Sequence, residues 1–214
     1  MNNVLDSDPT DLVVLNGDLI TGDATNLKNK TTLVEKLVEP MVKRGLFWAS
    51  TYGNHDHSKT LAARNIMERE RHYPGARTTS MVSGDDVGVS NYYLPVYASN
   101  CTTEKGDPGR LSSSCPPSLI LWFFDSRGGE YYDRTGSDGK PVQQPNWVHP
   151  DVAHWFRRTS VRLRRANGGQ VIPSIAFVHI PTNASNLIQP KVKPDRNPGV
   201  NDEAPGLQQS ASGM

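Results

Sequence analysis

The residues best suited to chemistry in this chain form the run Gly53-Asn54-His55-Asp56. The run directly follows an apolar segment, and so do Asp18 and His179 at two other places. Asp, Asn and His are the ligand types of hard to borderline metal ions that support hydrolysis. Because open α/β sheets bind ligands at the carboxyl ends of their strands, the pattern predicts a metal site at such ends.

Each residue type suits a different task in the metal-dependent hydrolysis of a phosphate ester. A centre with two metals about 3.5–4 Å apart needs a bridging carboxylate, and Asp18 is the candidate. Asn54 and His179 are candidates for neutral metal ligands. His55 is predicted to point away from its neighbour Asn54 and to act as the general acid. Asp56 is predicted to orient His55.

Three predicted strands must position these residues, and they span 11–16, 46–52 and 171–178. A helix that begins with the capping-box pattern at Thr32 separates the first two strands. Strand, helix and strand within about 40 residues indicate a βαβ unit with parallel strands. Pro40 lies inside the apolar stripe of this helix and is predicted to kink it.

The rest of the chain is predicted to add two helices, two strands and two long polar loops. The predicted helices span 58–71 and 151–166, the strands 89–97 and 119–124, and the loops 98–118 and 126–146. Loops of this length are typical of functional walls or of disorder. His57 is predicted to be a solvent-exposed turn residue.

The longer stretches 15–21, 48–56, 90–94, 121–127 and 177–181 resemble secreted fungal phosphatases of the calcineurin-like metallophosphoesterase superfamily. Three short motifs within this chain resemble the superfamily as a whole. They are Gly17-Asp18, Gly53-Asn54-His55-Asp56 and Val178-His179, in that order along the chain. The resemblance implies an α/β fold, a sandwich of two mixed β-sheets flanked by helices, with the metals at strand ends. It also implies a dinuclear centre of divalent ions (Mn, Zn or Fe) that acts on phosphate esters of small molecules or proteins.

The chain departs from the superfamily pattern at two places. The superfamily has an Asp-x-His motif on an earlier strand and a Gly-His-x-His motif on a later one, and neither motif is present. We therefore expect a domain truncated at both ends, with at most one metal ion and impaired activity. The partial domain is predicted to span 1–189, followed by a loop-like or disordered tail at 190–214.

Composition limits the partners and the compartment. The net charge of the 214 residues is +1, so we expect no nucleic-acid partner. The sequence contains no run of about 18 apolar residues, so we expect no membrane-spanning helix. The first residues lack a signal-peptide pattern, so a cytoplasmic chain is the default expectation.

Other residues point to an oxidising compartment for full-length relatives, which are expected to be secreted. Asn29, Asn100 and Asn183 begin glycosylation sequons. Cys101 and Cys115 flank one loop and are candidates for a disulfide.

Two further possibilities concern arginine. Arg127 follows a predicted strand and is a candidate ligand for substrate phosphate, although a structural turn residue explains it equally well. The arginines of the helix at 151–166 suit a polyanion-binding module, or merely a solvated outer face. A non-catalytic remnant of the enzyme remains the other alternative function.

Overall fold

The helices and strands alternate along most of the chain. The computed structural model describes residues 1–21, 32–99, 101 and 115–185. The helices described are α1 (Asn2–Ser7), α2 (Thr32–Arg44), α3 (Ala63–Glu70) and α4 (Pro150–Ala166). The strands described are β1 (Leu12–Asn16), β2 (Phe47–Thr51), β3 (Tyr92–Val96), β4 (Leu119–Phe124), β5 (Glu130–Thr135), β6 (Pro141–Gln143) and β7 (Ser174–Val178).

The strands form three sheets. β1 and β2 pair in parallel, and α2 connects them, so the predicted βαβ unit is confirmed. The second sheet has the order β3-β4-β7 and is mixed, because β4 is antiparallel to β3 and parallel to β7. β5 and β6 form a separate antiparallel hairpin. The predicted α/β class, with sheets flanked by helices, is confirmed.

Apolar clusters hold the helices against the sheets. The stripe Val34, Val38 and Met41 of α2 is completely buried in a cluster that includes Trp48 of β2 and Ile66 of α3. Pro40 does not interrupt α2, which continues to Arg44.

In a second apolar cluster α4 packs on the β3-β4-β7 sheet. A third cluster lies between that sheet and the β1-β2 sheet. Phe156 of α4 meets the ring of Trp122 edge-on, at 4.8 Å between centroids. Tyr92 and Phe123 stack at 4.5 Å in the third cluster, which also contains Ala49 of β2. The first two sheets therefore share one core.

Two predicted elements differ from those observed. The loop predicted at 126–146 contains the β5–β6 hairpin, whose residues are mostly exposed and polar and so lack an apolar alternation. α3 begins at Ala63 and not at Ser58, because Ser58 and Leu61 pair their backbone groups in a tight turn. Among the helices described, none is long and apolar enough to cross a bilayer.

The exposed edge of β7 predicts self-association. In the described part of the chain β7 pairs only with β4, and its Ile175 side chain is 48% exposed. Exposed apolar edge strands template pairing with other chains, and a lysine on the edge prevents it. We expect Ile175→Lys to lower concentration-dependent self-association several-fold, as measured by light scattering.

Val161→Lys is the matched control. Val161 is 49% exposed but lies on α4, so the change removes a similar apolar area without altering a strand edge. An equal effect of both substitutions would show that general surface hydrophobicity, and not the β7 edge, drives association.

Candidate metal centre

Asp18 and His179 meet where β1 and β7 end. Nε2 of His179 lies 3.1 Å from Oδ2 of Asp18, and its Nδ1 lies 2.8 Å from the carbonyl oxygen of Asn16. A carbonyl oxygen can only accept, so Nδ1 carries a proton and Nε2 faces the Asp18 carboxylate. A histidine whose other nitrogen is held in this way is the usual form of a metal ligand.

Two glycines allow the turns of the site to close together. A Cβ atom on Gly17 would lie 2.5 Å from ring atoms of His179. A Cβ atom on Gly53 would lie 2.3 Å from Oδ1 of Asp18 and 2.6 Å from Cδ2 of His179. Gly17 has φ +86°, and Asp18 also adopts the left-handed region with φ 52°. The glycines of both motifs are therefore required by close contact.

The turn that carries Asn54 and His55 lies directly against Asp18. The backbone amide of His55 donates to Oδ1 of Asp18 at 3.0 Å. Asn54 is half-buried, and a Cβ atom on Gly128 would lie 3.0 Å from its Cβ atom. The His55 side chain is exposed. The structure thus brings together the three turns that hold Asp18, Asn54 and His179.

The Asp56 carboxylate is completely buried between two of these turns. Its Oδ1 accepts from the amide of Ile20 at 2.8 Å, and its Oδ2 accepts from the amide of Gly53 at 2.9 Å. Burial raises the pKa of Asp56, although these backbone amides partly oppose the rise. The carboxylate predicted to orient His55 therefore binds the backbone of both ligand-bearing turns, while His55 is exposed.

A buried ion pair lies just beyond the motif, where the sequence predicted an exposed His57. His57 is only 7% exposed, and its Nε2 lies 3.3 Å from Oδ1 of Asp125. Burial acts to lower the pKa of His57, but the Asp125 carboxylate outweighs it and the pKa is raised. Burial acts to raise the pKa of Asp125, but His57 and backbone amides outweigh it and the pKa is lowered. The prediction of an exposed His57 is wrong, because no local pattern reveals a partner 68 positions away.

Arg127 fixes loops of the protein in this structure. It is 1% exposed, and its Nη1 donates to the carbonyl and carboxylate oxygens of Asp86 at 2.9 and 3.3 Å. Its Nε donates to the carbonyl oxygen of Trp147 at 2.9 Å. The guanidinium predicted to bind phosphate is thus buried and engaged by the chain itself.

The remaining candidates are the three sequons and the two cysteines. Asn183 is exposed in a turn where the Ser185 amide donates to the carbonyl of Thr182 at 3.0 Å. Asn29 and Asn100 lie outside the described residues, as does the tail predicted at 190–214. Cys101 and Cys115 are paired as a disulfide, with Cα atoms 5.8 Å apart.

Two of the predicted ligands have a separation that suits a single divalent cation. Among the described residues, no three or more His, Cys, Asp or Glu side chains lie together as a metal group, so the candidate set is Asp18, His179 and the amide of Asn54. Ligand atoms about 2.0–2.2 Å from one metal lie roughly 3–3.5 Å from each other. The observed 3.1 Å between Nε2 of His179 and Oδ2 of Asp18 is such a separation.

The chain belongs to the calcineurin-like phosphoesterase family, whose model matches residues 1–196. The members of this family are metal-dependent hydrolases that act on phosphate esters. The chain is thus a member of an enzyme family, as its motifs predict.

Curated relatives match most of this chain but less than half of their own length. One is the probable inactive purple acid phosphatase 28 of Arabidopsis thaliana, 28% identical over 85% of this chain and 44% of the relative. The probable inactive purple acid phosphatase 29 of the same plant is 26% identical, over 85% of this chain and 44% of the relative. Phosphatase DCR2 of Saccharomyces cerevisiae is 26% identical, over 92% of this chain and 31% of the relative. No solved structure matches.

The His57–Asp125 pair predicts that stability falls as pH rises. The pKa of His57 is raised above 6.5, so its contribution is complete below about pH 6.5 and is lost as pH passes the folded pKa. The pKa of Asp125 is lowered below 3.8, so its contribution is lost only on acidification. We expect His57→Gln to flatten the decline in unfolding free energy above pH 6.5, measured by chemical denaturation.

Other buried acids also lower the stability as pH rises, and they do so equally in the wild type and in His57→Gln. Burial raises the pKa values of Asp56 and Glu70, so these groups also lose stabilising free energy as pH rises. The difference between the wild type and His57→Gln therefore isolates the pair, and His154→Gln on the exposed face of α4 is the control. Parallel curves for the wild type and His57→Gln would contradict the ion pair.

Proposed function

We propose that this chain is a metal-dependent phosphoesterase that hydrolyses phosphate esters with water. The observation that carries the proposal is the 3.1 Å approach of His179 to Asp18 beside the turn of Asn54 and His55. Asp18, Asn54 and His179 would hold a divalent cation, with Mn²⁺, Zn²⁺ and Fe²⁺ as the candidates.

The bound cation would supply Lewis-acid charge and activate a water molecule for attack on phosphorus. The protein would position the metal ligands and donate a proton to the leaving group. The Asn16 carbonyl fixes the His179 ring so that Nε2 faces the carboxylate of Asp18. His55 is exposed, and its backbone amide binds that carboxylate; its imidazole would protonate the leaving oxygen as the phosphorus–oxygen bond breaks.

We infer that the described ligands support one cation and not two. Asp18 has one oxygen at His179 and the other at the amide of His55, and the described part of the chain offers no third carboxylate or imidazole.

A non-catalytic protein is the second candidate function. It is favoured by the names of two relatives, which describe probable inactive phosphatases. The two candidates share the fold and the metal ligands and differ in whether bound metal leads to turnover.

We also propose an oxidising compartment for the protein. The Cys101–Cys115 disulfide and the exposed Asn183 sequon support this location.

The first test is metal stoichiometry. We expect calorimetric titration with Mn²⁺ or Zn²⁺ to give at most one equivalent per chain, and Asp18→Ala to abolish binding because it removes the charged ligand. Asp138→Ala is the control, since Asp138 is an exposed carboxylate in the turn of the β5–β6 hairpin. Two tight equivalents would contradict the single-metal proposal.

The second test distinguishes the role of His55 from that of Asn54. It measures the hydrolysis of a small aryl phosphate in the presence of excess metal. His55→Ala should lower kcat by about 10²- to 10⁴-fold with little change in KM, because the proton is needed only in the transition state. The loss should shrink for a leaving group that needs no proton. Asn54→Ala should raise the metal concentration required for half-maximal activity.

Two results would contradict these roles. An unchanged rate for His55→Ala with a poor leaving group, together with no activity for Asn54→Ala, would make the division of roles wrong. Bound metal in the wild type without any turnover would favour the non-catalytic candidate.

A further inference from the structure

A buried polar network surrounds the last residues of β2. The hydroxyl of Ser50 donates to Oε1 of Glu70 at 2.6 Å, and the hydroxyl of Tyr52 donates to its Oε2 at 2.8 Å. The amide of Ser50 donates to the hydroxyl of Thr78 at 2.9 Å, and its carbonyl accepts from the hydroxyl of Tyr92 at 2.8 Å. All five residues are at least 97% buried.

The place of Glu70 is unfavourable for a carboxylate. Its side chain is completely buried, and water has been replaced by two hydroxyl groups. Glu70 is also the last residue of α3, where the helix dipole disfavours negative charge. An apolar side chain of similar size would avoid both effects, but it would leave the buried hydroxyls of Ser50 and Tyr52 without an acceptor.

The residues that bind the Glu70 carboxylate lead directly into the turn of Asn54. Ser50 and Tyr52 lie on the same face of the strand, and Tyr52 is followed directly by Gly53 and Asn54. Gly53 has no free space, because a Cβ atom there would lie 2.3 Å from Oδ1 of Asp18. A shift at the end of β2 therefore moves Asn54 against the Asp18 turn.

The opposite face of β2 is anchored separately. The Thr51 hydroxyl donates to the carbonyl of Phe124 at 2.8 Å, and the Tyr52 amide donates to the Ser90 hydroxyl at 3.2 Å. These bonds join the strand end to β4 and to the segment that precedes β3. The hydrogen bonds from Ser50 and Tyr52 to Glu70 hold the face towards α3, so the strand end is held from both sides.

We propose that Glu70 is a positioning residue for the metal centre. By binding the hydroxyls of Ser50 and Tyr52, it fixes the end of β2 and sets Asn54 relative to Asp18 and His179. The proposal rests on the proposed function, because it assumes that these three residues bind a metal.

The experiment compares Mn²⁺ affinity among variants of the full chain by calorimetry. Glu70→Ala and Tyr52→Phe should each weaken Mn²⁺ binding by about tenfold, the lower end of the effect of groups that orient ligands. Glu70→Gln keeps the shape and one accepting oxygen, so it should recover most of the affinity. The double variant Tyr52→Phe/Glu70→Ala should bind like Glu70→Ala, because Glu70→Ala already removes the hydrogen bond from Tyr52.

Met67→Ala is the matched control for lost stability. Met67 lies on α3 one turn before Glu70 and is buried in the apolar cluster, without a place in the polar network. We expect Met67→Ala to lower the melting temperature and to leave Mn²⁺ affinity unchanged. The rise in melting temperature on adding saturating Mn²⁺ provides a second readout for each variant.

The outcomes separate the two proposals. Wild-type affinity in Glu70→Ala and Tyr52→Phe overturns the positioning role and leaves the proposed function intact. An equal loss of affinity in Met67→Ala overturns it as well, since Glu70 would then act through stability alone. No Mn²⁺ binding by the wild type overturns both proposals. If Glu70→Ala does not fold, Tyr52→Phe decides the result.

Discussion

The candidate centre depends first on one buried anion, the carboxylate of Asp56. Its two oxygens bind the amides of Ile20 and Gly53, which lie two residues after Asp18 and one residue before Asn54. The turn after β1 and the turn after β2 therefore share a single acceptor. Without that carboxylate two buried amides would lose their partner, at roughly 1–3 kcal/mol each. Between the two turns, the bond from the His55 amide to Oδ1 of Asp18 would remain.

A second constraint comes from the two sheets that supply the ligands. Asp18 and Asn54 follow strands of the β1-β2 sheet, whereas His179 follows β7 of the other sheet. The strand ends are joined by the bond from Thr51 to the carbonyl of Phe124 and by the bond from Asn16 to the carbonyl of Val178, at 2.8 and 3.2 Å. The site thus lies where two sheets meet, and its geometry depends on the core between them.

The sequence indicates the candidate ligands more readily than the interactions that hold them in place. Asp18, Asn54 and His179 could be found because each follows an apolar run, and strand ends are local features. The buried state of His57 depends on Asp125, and that of Glu70 on hydroxyls 18 and 20 positions away, which no local pattern shows. The β5–β6 hairpin was missed for a related reason, since its polar exposed strands give no apolar alternation.

Steric contact and hydrogen bonding fix the centre in complementary ways. Gly17 and Gly53 lie so close to His179 and Asp18 that neither turn can move further inward. The Asp56 carboxylate prevents the same turns from moving outward, because its bonds to their amides are directional. Apolar packing alone tolerates small sliding motions, whereas a metal centre needs its ligands held within about 0.5 Å. Buried acids beside the glycine contacts are therefore understandable here, even though each is unfavourable on its own.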